Sequence, residues 1–332
     1  MSAGMWVPVP TSTVLLKPCI GEDLRRRALR EVPDEVLPRP TDTAASLAAR
    51  LSASTFFEDS HVLEKGKGPR RIRLNATSMP QPRRRTWSLI VEDEFEDEDG
   101  DTVRVLSNYT AYGRRPQDWE AMPMPQAVED LGRFLWSISW PILTPVSQRS
   151  PPNGCQLLVF YVLFGGAMGR HRDNYNHQMM MQVLCGERGL EDLVEGNHHG
   201  GDENSQTVGS NVLIWTEGDA DMRFTLSFPD SKDSKVREYK IHPSYCVNLG
   251  AGTLLVFSPV DDVFFCHETA FLADALGTYR IAFVFRWLSA ARKFYVSNNK
   301  HKVSAKLHEQ ELDLKRRKRE KMAAEKRAGL RT

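Results

Sequence analysis

Cysteine is scarce. Five are spread over 332 residues, at Cys19, Cys155, Cys185, Cys246 and Cys266, an odd number with no Cys-x-x-Cys spacing. That pattern excludes a zinc ribbon and points to a reducing compartment, cytoplasmic or nuclear. No run of about 18 apolar residues occurs, so neither a transmembrane helix nor a membrane partner is expected. The opening Met1-Ser-Ala-Gly-Met-Trp-Val-Pro-Val-Pro10 has no basic start and no continuous apolar stretch, and no signal peptide is expected. Net charge is also small: 44 Lys and Arg against 43 Asp and Glu leave +1.

That balance hides an asymmetry. Lys315 to Arg331 holds nine basic residues and two glutamates, a net of +7, which leaves −6 for the rest. The folded part is therefore not basic, and charge alone does not argue for a nucleic-acid surface. The tail itself reads as a nuclear address, an RNA-binding arm or a solvated helix, the solvated helix being the default. With 41% hydrophobic residues, the chain can bury one large core or two modest ones.

Taken in order, residues 1–85 read as an irregular segment with one helical piece, Glu22 to Arg30. Arg70-Arg71-Ile-Arg73 and Arg83-Arg84-Arg85 are either a phosphate-binding edge or neutralisers of the acidic run beside them. That run, Glu92 to Asp101, holds eight carboxylates in ten positions and reads as an exposed hairpin tip between strands at Trp87–Val91 and Thr102–Leu106. Residues 86–150 form an extension with this hairpin and one helix. The helix is predicted from Met124 to Trp140 by the spacing of Val128, Leu131, Leu135 and Ile138, with Pro125 near its start and Pro141 at its end.

From 151 to 295 the chain is a series of short apolar runs bounded by Gly, Pro and Asn. The predicted strands are Leu157–Leu163, Met179–Leu184, Val212–Trp215, Arg223–Phe228, Tyr245–Leu249, Thr253–Phe257, Val263–Cys266 and Tyr279–Trp287. Eight short strands without intervening helices suggest a sandwich or jelly roll. The fold class is thus α+β, mainly β, followed by a basic helical tail at 296–332, with Val303, Leu307 and Leu314 on a thin apolar stripe. A monomer is expected.

Within this region three residues could hold a metal. His171 and Asp173 close a Gly-rich run after a strand, and residues two apart on an extended chain point to the same side. His267 follows a second pair of apolar runs. Two imidazoles and a carboxylate are the ligand set of non-haem Fe(II) oxygenases, which leaves coordination positions open. Competing candidates are His177, His198 and His199; the last two lie in Glu195–Asn204, whose composition is that of a loop. Beyond His267, Tyr279–Trp287 alternates strictly. Arg280, Ala282, Val284 and Arg286 share one face, and Ile281, Phe283, Phe285 and Trp287 the other. Two arginines separated by smaller side chains suit a small dicarboxylate.

His-x-Asp, a distant His and an Arg-x5-Arg strand thirteen residues later resemble the AlkB-like 2-oxoglutarate- and Fe(II)-dependent dioxygenases, over about residues 105 to 290. Trp119-Glu-Ala-Met-Pro123 is similar to a segment that precedes a helix in that family. Val159-Phe160-Tyr161 stands where the family commonly has Asn-x-Tyr, and Ala282 where it has Asn. The resemblance implies a double-stranded β-helix with its metal site at the open mouth. It implies Fe(II), 2-oxoglutarate and O2 as cofactors, with His171, Asp173 and His267 as metal ligands and Arg280, Arg286 and Tyr161 at 2-oxoglutarate. It also implies an N-terminal lid over the substrate, for which Tyr109, Tyr112 and Arg114 are the candidates because aromatic and Arg planes stack on unpaired bases.

Three functions fit these residues. The first is oxidative demethylation of alkylated DNA or RNA bases. The second is the same chemistry on a protein, lipid or small molecule. The third is a non-catalytic jelly-roll binding protein docked through its basic tail, against which stand the three ligands and both arginines.

Overall fold

The computed structural model describes residues 12–57, 61–62, 70–71, 82–89, 91–96, 102–108, 123–171, 209–227, 241–272, 276–287 and 292–296. The chain divides into two units, residues 1–89 with 109–291 and residues 90–108 with 292–332. In chain order the elements are β1 (Val14–Leu16), α1 (Glu22–Arg30), α2 (Ala44–Ala53), β2 (His61–Val62), β3 (Arg70–Arg71), β4 (Arg83–Ser88), β5 (Val91–Glu96) and β6 (Thr102–Asn108). There follow α3 (Gln126–Ser139), α4 (Pro145–Gln148), β7 (Gly154–Tyr161), β8 (Ala167–His171), β9 (Val212–Gly218), β10 (Met222–Ser227) and β11 (Ile241–Leu249). The last are β12 (Thr253–Phe257), α5 (Pro259–Phe264), β13 (Cys266–Phe271), β14 (Tyr279–Arg286) and β15 (Arg292–Val296).

The larger unit is built on two antiparallel sheets, a six-stranded one in the order β1-β12-β9-β14-β7-β4 and a four-stranded one in the order β11-β10-β13-β8. The strand period of two sorts side chains between two cores. On β14, Ile281, Phe283 and Phe285, with Trp287 just after it, join α1–α3 in one core; Ala282 and Val284 face the second sheet in the other. On β7, Leu157, Val159 and Tyr161 take the helix side, Leu158 and Phe160 the inter-sheet side. Strands with both faces covered read as continuous apolar runs. The protein is thus mixed and strand-rich, with facing antiparallel sheets and a helical layer over the larger one.

Helix α3 starts after Pro125 and stops where Pro141 stands. Its buried stripe is Val128, Leu131, Leu135 and Ser139; it continues by a step of four to Ser139, which leaves Ile138 37% exposed. Each fully buried leucine or valine contributes about 1.5–3 kcal/mol relative to exposure. The helix lies so close to the sheet that a Cβ on Gly132 would fall 2.8 Å from the Phe285 ring. A second tie comes from α1, where Arg25 donates through Nε and Nη2 to both oxygens of the buried Glu217 carboxylate on β9, at 2.8 Å each.

Four expectations need correction. The described part of residues 1–85 is not an irregular segment. Strand β1 pairs with β12 and β4 with β7, and Val36, Leu47, Leu51 and Phe57 are fully buried beneath the sheet. These apolar residues are too sparse to reveal a periodic pattern, and only tertiary contact makes them core. The acidic run is not all hairpin tip: Val91–Glu96 is a strand paired antiparallel with β6, position 94 opposite position 104 in the backbone register. Arg292–Val296 is not the end of the larger unit. It pairs with β6 in the three-stranded sheet of the smaller one. Last, Val263–Cys266 is not a strand. Ser258 caps α5 by accepting from the Val260 backbone N–H, Pro259 occupies the first turn and Asp261 and Asp262 follow. Those helix-start signals outweigh the β-propensity of Val-Phe-Phe, and β13 begins only at Cys266.

The expected strand Met179–Leu184, the residues Tyr109, Tyr112, Arg114 and Asp173, and the tail 297–332 lie outside the described residues.

Candidate metal and carboxylate site

A cavity of about 620 Å3, its mouth included, opens between the two sheets of the larger unit. Leu158 and Phe160 of β7, Ile214 of β9, Met222 and Phe224 of β10, Phe257 of β12 and Val284 of β14 supply an apolar lining. Six polar side chains interrupt it: Gln156, Thr216, His267, Thr269, Arg280 and Arg286.

His267 is the second residue of β13 and is almost completely buried. Its ring lies 4.9 Å from Phe257, edge to face, and 5.8 Å from Phe224, nearly parallel. Its Nδ1 is 3.3 Å from Oδ1 of Asp262 on α5. The backbone register pairs His267 with His171 across β13 and β8, and the pairing shifts between them and Met168–Thr269. Such a bulge is a common means of re-aiming a residue beside a site. Positions directly opposed on antiparallel strands are the closest neighbours a sheet offers. Two of the three expected metal ligands are thus cross-strand partners in the backbone register, with His171 at the end of β8, a strand that was not among the eight expected. Among the described residues no three His, Cys, Asp or Glu stand together as a metal cluster; Asp173 lies outside them.

Arg280 is 1% exposed and lines the cavity. It lies opposite Gly218 on β9, a residue with φ of 120° on which a Cβ would fall 2.6 Å from the Tyr279 carbonyl oxygen. Only glycine fits there without strain. Two of the guanidinium's nitrogens are committed: Nε donates to the Ala220 carbonyl and Nη2 to Asp221 Oδ1 at 3.1 Å. The third, Nη1, is buried with no hydrogen-bond partner. Burial lowers the Arg280 pKa, and the carboxylates of Asp221, Glu217 and Asp219 offset this only in part; a guanidinium lowered in this way still stays a cation. Asp219 also accepts from the Thr278 and Tyr279 backbone N–H groups and from the Thr278 hydroxyl, all at 2.8 Å, which pins the start of β14.

Thr269 follows His267 by two positions. It lines the same cavity, and its hydroxyl is likewise buried without a partner. A buried donor left open costs roughly 1–3 kcal/mol, and two of them in one cavity fit an acidic oxygen-rich ligand. Ala282, between the arginines, also lines the cavity. Arg286 shares this face and lines the cavity, half-buried.

Tyr161 does not reach the cavity. It lies on the helix side of β7, fully buried, and its hydroxyl donates to the Val36 carbonyl at 2.8 Å. The Cα partner of Arg280 is Phe160, so Phe160 takes the inward position and Tyr161 the outward one. Thr269, Gln156 and Asp262 are the residues the sequence reading missed. The i+2 spacing from His267 could have revealed Thr269. Asp262 had no signal, because the stretch directly after it, Val263–Cys266, read as a strand and not as the end of a helix.

No family model and no curated protein matches this sequence. Among solved structures the chain is similar to OsALKBH1, at 13% identity and a TM-score of 0.38, over 84% of this chain and 98% of that one. It is also similar to ycfD of E. coli, at 14% identity and a TM-score of 0.24, over 63% of this chain and 42% of that one. Neither likeness bears weight at these values. Among the described residues no helix is long and apolar enough to cross a membrane.

Proposed function

We propose that the protein is an Fe(II)- and 2-oxoglutarate-dependent dioxygenase of the AlkB-like kind, acting on alkylated bases of DNA or RNA. The observation that carries this is the open Nη1 of Arg280 together with the open hydroxyl of Thr269, in the cavity that His267 lines. His171, Asp173 and His267 would hold the metal. Arg280 and Thr269 would take the far carboxylate of 2-oxoglutarate, with Arg286 at the other end of the slot. When bound, Fe(II) with 2-oxoglutarate and O2 supplies the oxidising chemistry that hydroxylates a substrate C–H bond. On an N-methyl group that product breaks down to formaldehyde and the free base.

The chain's own residues supply orientation and exclusion of water. Ala220 and Asp221 fix the guanidinium plane of Arg280 before any ligand arrives, so its free nitrogen needs no reorganisation to donate. Apolar walls lower the local dielectric and strengthen a charge-assisted hydrogen bond. Phe224 and Phe257 restrict the plane of the His267 ring.

The test is mass spectrometry of modified nucleosides after incubation of methylated oligonucleotides with protein, Fe(II), 2-oxoglutarate and ascorbate. Loss of a methylated base with matching succinate is the expected result. Succinate without base repair would retain the enzyme and remove this substrate class. No succinate at all would remove both.

A further inference from the structure

We infer that Asp262 is a positioning residue: its carboxylate holds the imidazole of His267 with the proton on Nδ1, so that Nε2 is the nitrogen presented to the cavity for a metal. This rests on the reading of His267 as a ligand. The observations are specific to α5. Asp262 is 1% exposed, and Oδ1 lies 3.3 Å from His267 Nδ1. A carboxylate that deep is costly unless donors face it; Nδ1 stands at ion-pair distance from Oδ1 without an aligned N–H···O bond, and a proton on Nδ1 turned toward Oδ1 supplies such a donor. A metal-binding imidazole typically donates its second N–H to a carboxylate or carbonyl, which fixes tautomer and ring orientation.

The helical turn that carries Asp262 is itself held from behind. Its neighbour Asp261, fully buried, accepts from the Ser12 and Thr13 backbone N–H groups at 3.1 and 2.8 Å and from the Thr13 hydroxyl. Ser12 Oγ donates to Ser258 Oγ at 2.6 Å, and the Ser258 N–H donates to Thr13 Oγ1 at 3.1 Å. Strand β1 follows directly and pairs with β12. Two adjacent aspartates thus have separate tasks. Asp261 fastens α5 to the N-terminal strand, and Asp262, fixed by that fastening, orients the histidine. Phe224 and Phe257 set the plane of the ring; Asp262 sets which edge faces inward.

Two measurements on the full chain test this, neither of them turnover. The first is long-range 1H–15N NMR of the imidazoles in the metal-free protein, with His267 assigned by its loss in His267→Ala. The second is anaerobic titration with Co(II), followed by its visible absorption. The wild type is expected to carry the His267 proton on Nδ1. Asp262→Asn is expected to bind Co(II) about ten- to a hundred-fold more weakly, and Asp262→Glu, which keeps a carboxylate, to recover a large part of that loss. A purely structural role would not give this rescue together with the tautomer. A wild-type proton on Nε2 overturns the inference. So does an Asp262→Asn protein that binds Co(II) at wild-type affinity while His267→Ala loses it; this outcome leaves the proposed function standing. Undiminished Co(II) binding by His267→Ala overturns the ligand reading, and the inference with it. Should Asp262→Asn fail to fold, the wild-type tautomer and Asp262→Glu still decide.

Discussion

Replacing Thr269 with Val separates the account of the cavity from a purely structural one. Valine has the shape of threonine without the hydroxyl, and that hydroxyl is buried and has no partner. An unsatisfied buried polar group costs about 1–3 kcal/mol, so its removal is expected to stabilise the ligand-free protein, by about 1 kcal/mol after imperfect repacking. At roughly 2–4 °C per kcal/mol for a domain of this size, the melting temperature rises by a few degrees. With 2-oxoglutarate the sign reverses. The hydroxyl is expected to donate to a carboxylate, a bond to a charged group worth about 1.5–3 kcal/mol, so the dissociation constant rises roughly ten- to a hundred-fold. The assay is thermal unfolding with and without a metal and 2-oxoglutarate, joined to calorimetric titration. A variant that melts lower without ligand, or that binds 2-oxoglutarate as tightly as the wild type, refutes the reasoning. A gain in stability at the expense of binding is the behaviour of a residue kept for its ligand.

Two further outcomes are expected. Tyr161→Phe leaves the buried Val36 carbonyl without its donor, so it is expected to cost about 1–2 kcal/mol in denaturant unfolding and to leave 2-oxoglutarate affinity unchanged; weakened binding at unchanged stability would return Tyr161 to the site. Asp219 is exposed, and partial desolvation of its carboxylate pushes its pKa up, but the N–H groups of Tyr279 and Thr278 and the Thr278 hydroxyl more than offset this and hold it below the ordinary carboxylate value. Its folded pKa is thus below its unfolded one, so its contribution is present above about pH 4 and lost as pH falls through the folded value. Asp219→Ala is expected to lower stability by about 0.5–1 kcal/mol at pH 7, because solvent screens an exposed carboxylate, with the difference from wild type narrowing in acid. A difference that is constant from pH 7 to pH 3 counts against this.

The parts of the molecule legible in the sequence are those where one local rule dominates. Strand β14 alternates large apolar residues with Arg, Ala, Val and Arg, and the structure sorts them between two cores in that order. Helix α1 spans the expected Glu22–Arg30, and α3 lies within the expected range. What the sequence did not disclose depends on parity or on distant contacts. Whether Phe160 or Tyr161 faces the cavity turns on a one-residue register between β7 and β14, and a slip of one residue exchanges the faces. Val36, Leu47, Leu51 and Phe57 become core only because β1 and β4 bring the N-terminal segment onto the sheet. In Val263–Cys266 two local rules conflict; the Ser-Pro-x-Asp-Asp start prevails, and only then does Asp262 come to His267. For the candidate site, His267, Arg280 and Arg286 were legible as residues, and their common cavity was legible only in part, through the faces of β14.

The most direct measurement of the central claim is the affinity of 2-oxoglutarate, with a divalent metal and without oxygen, for the wild type and for Arg280→Lys. Lysine keeps the charge, but its donors radiate from one nitrogen and cannot span the positions that Nε, Nη2 and Nη1 occupy. The expected result is wild-type binding that depends on the metal, weakened at least ten-fold in Arg280→Lys. Binding that is absent in the wild type, or undiminished in Arg280→Lys, would contradict it.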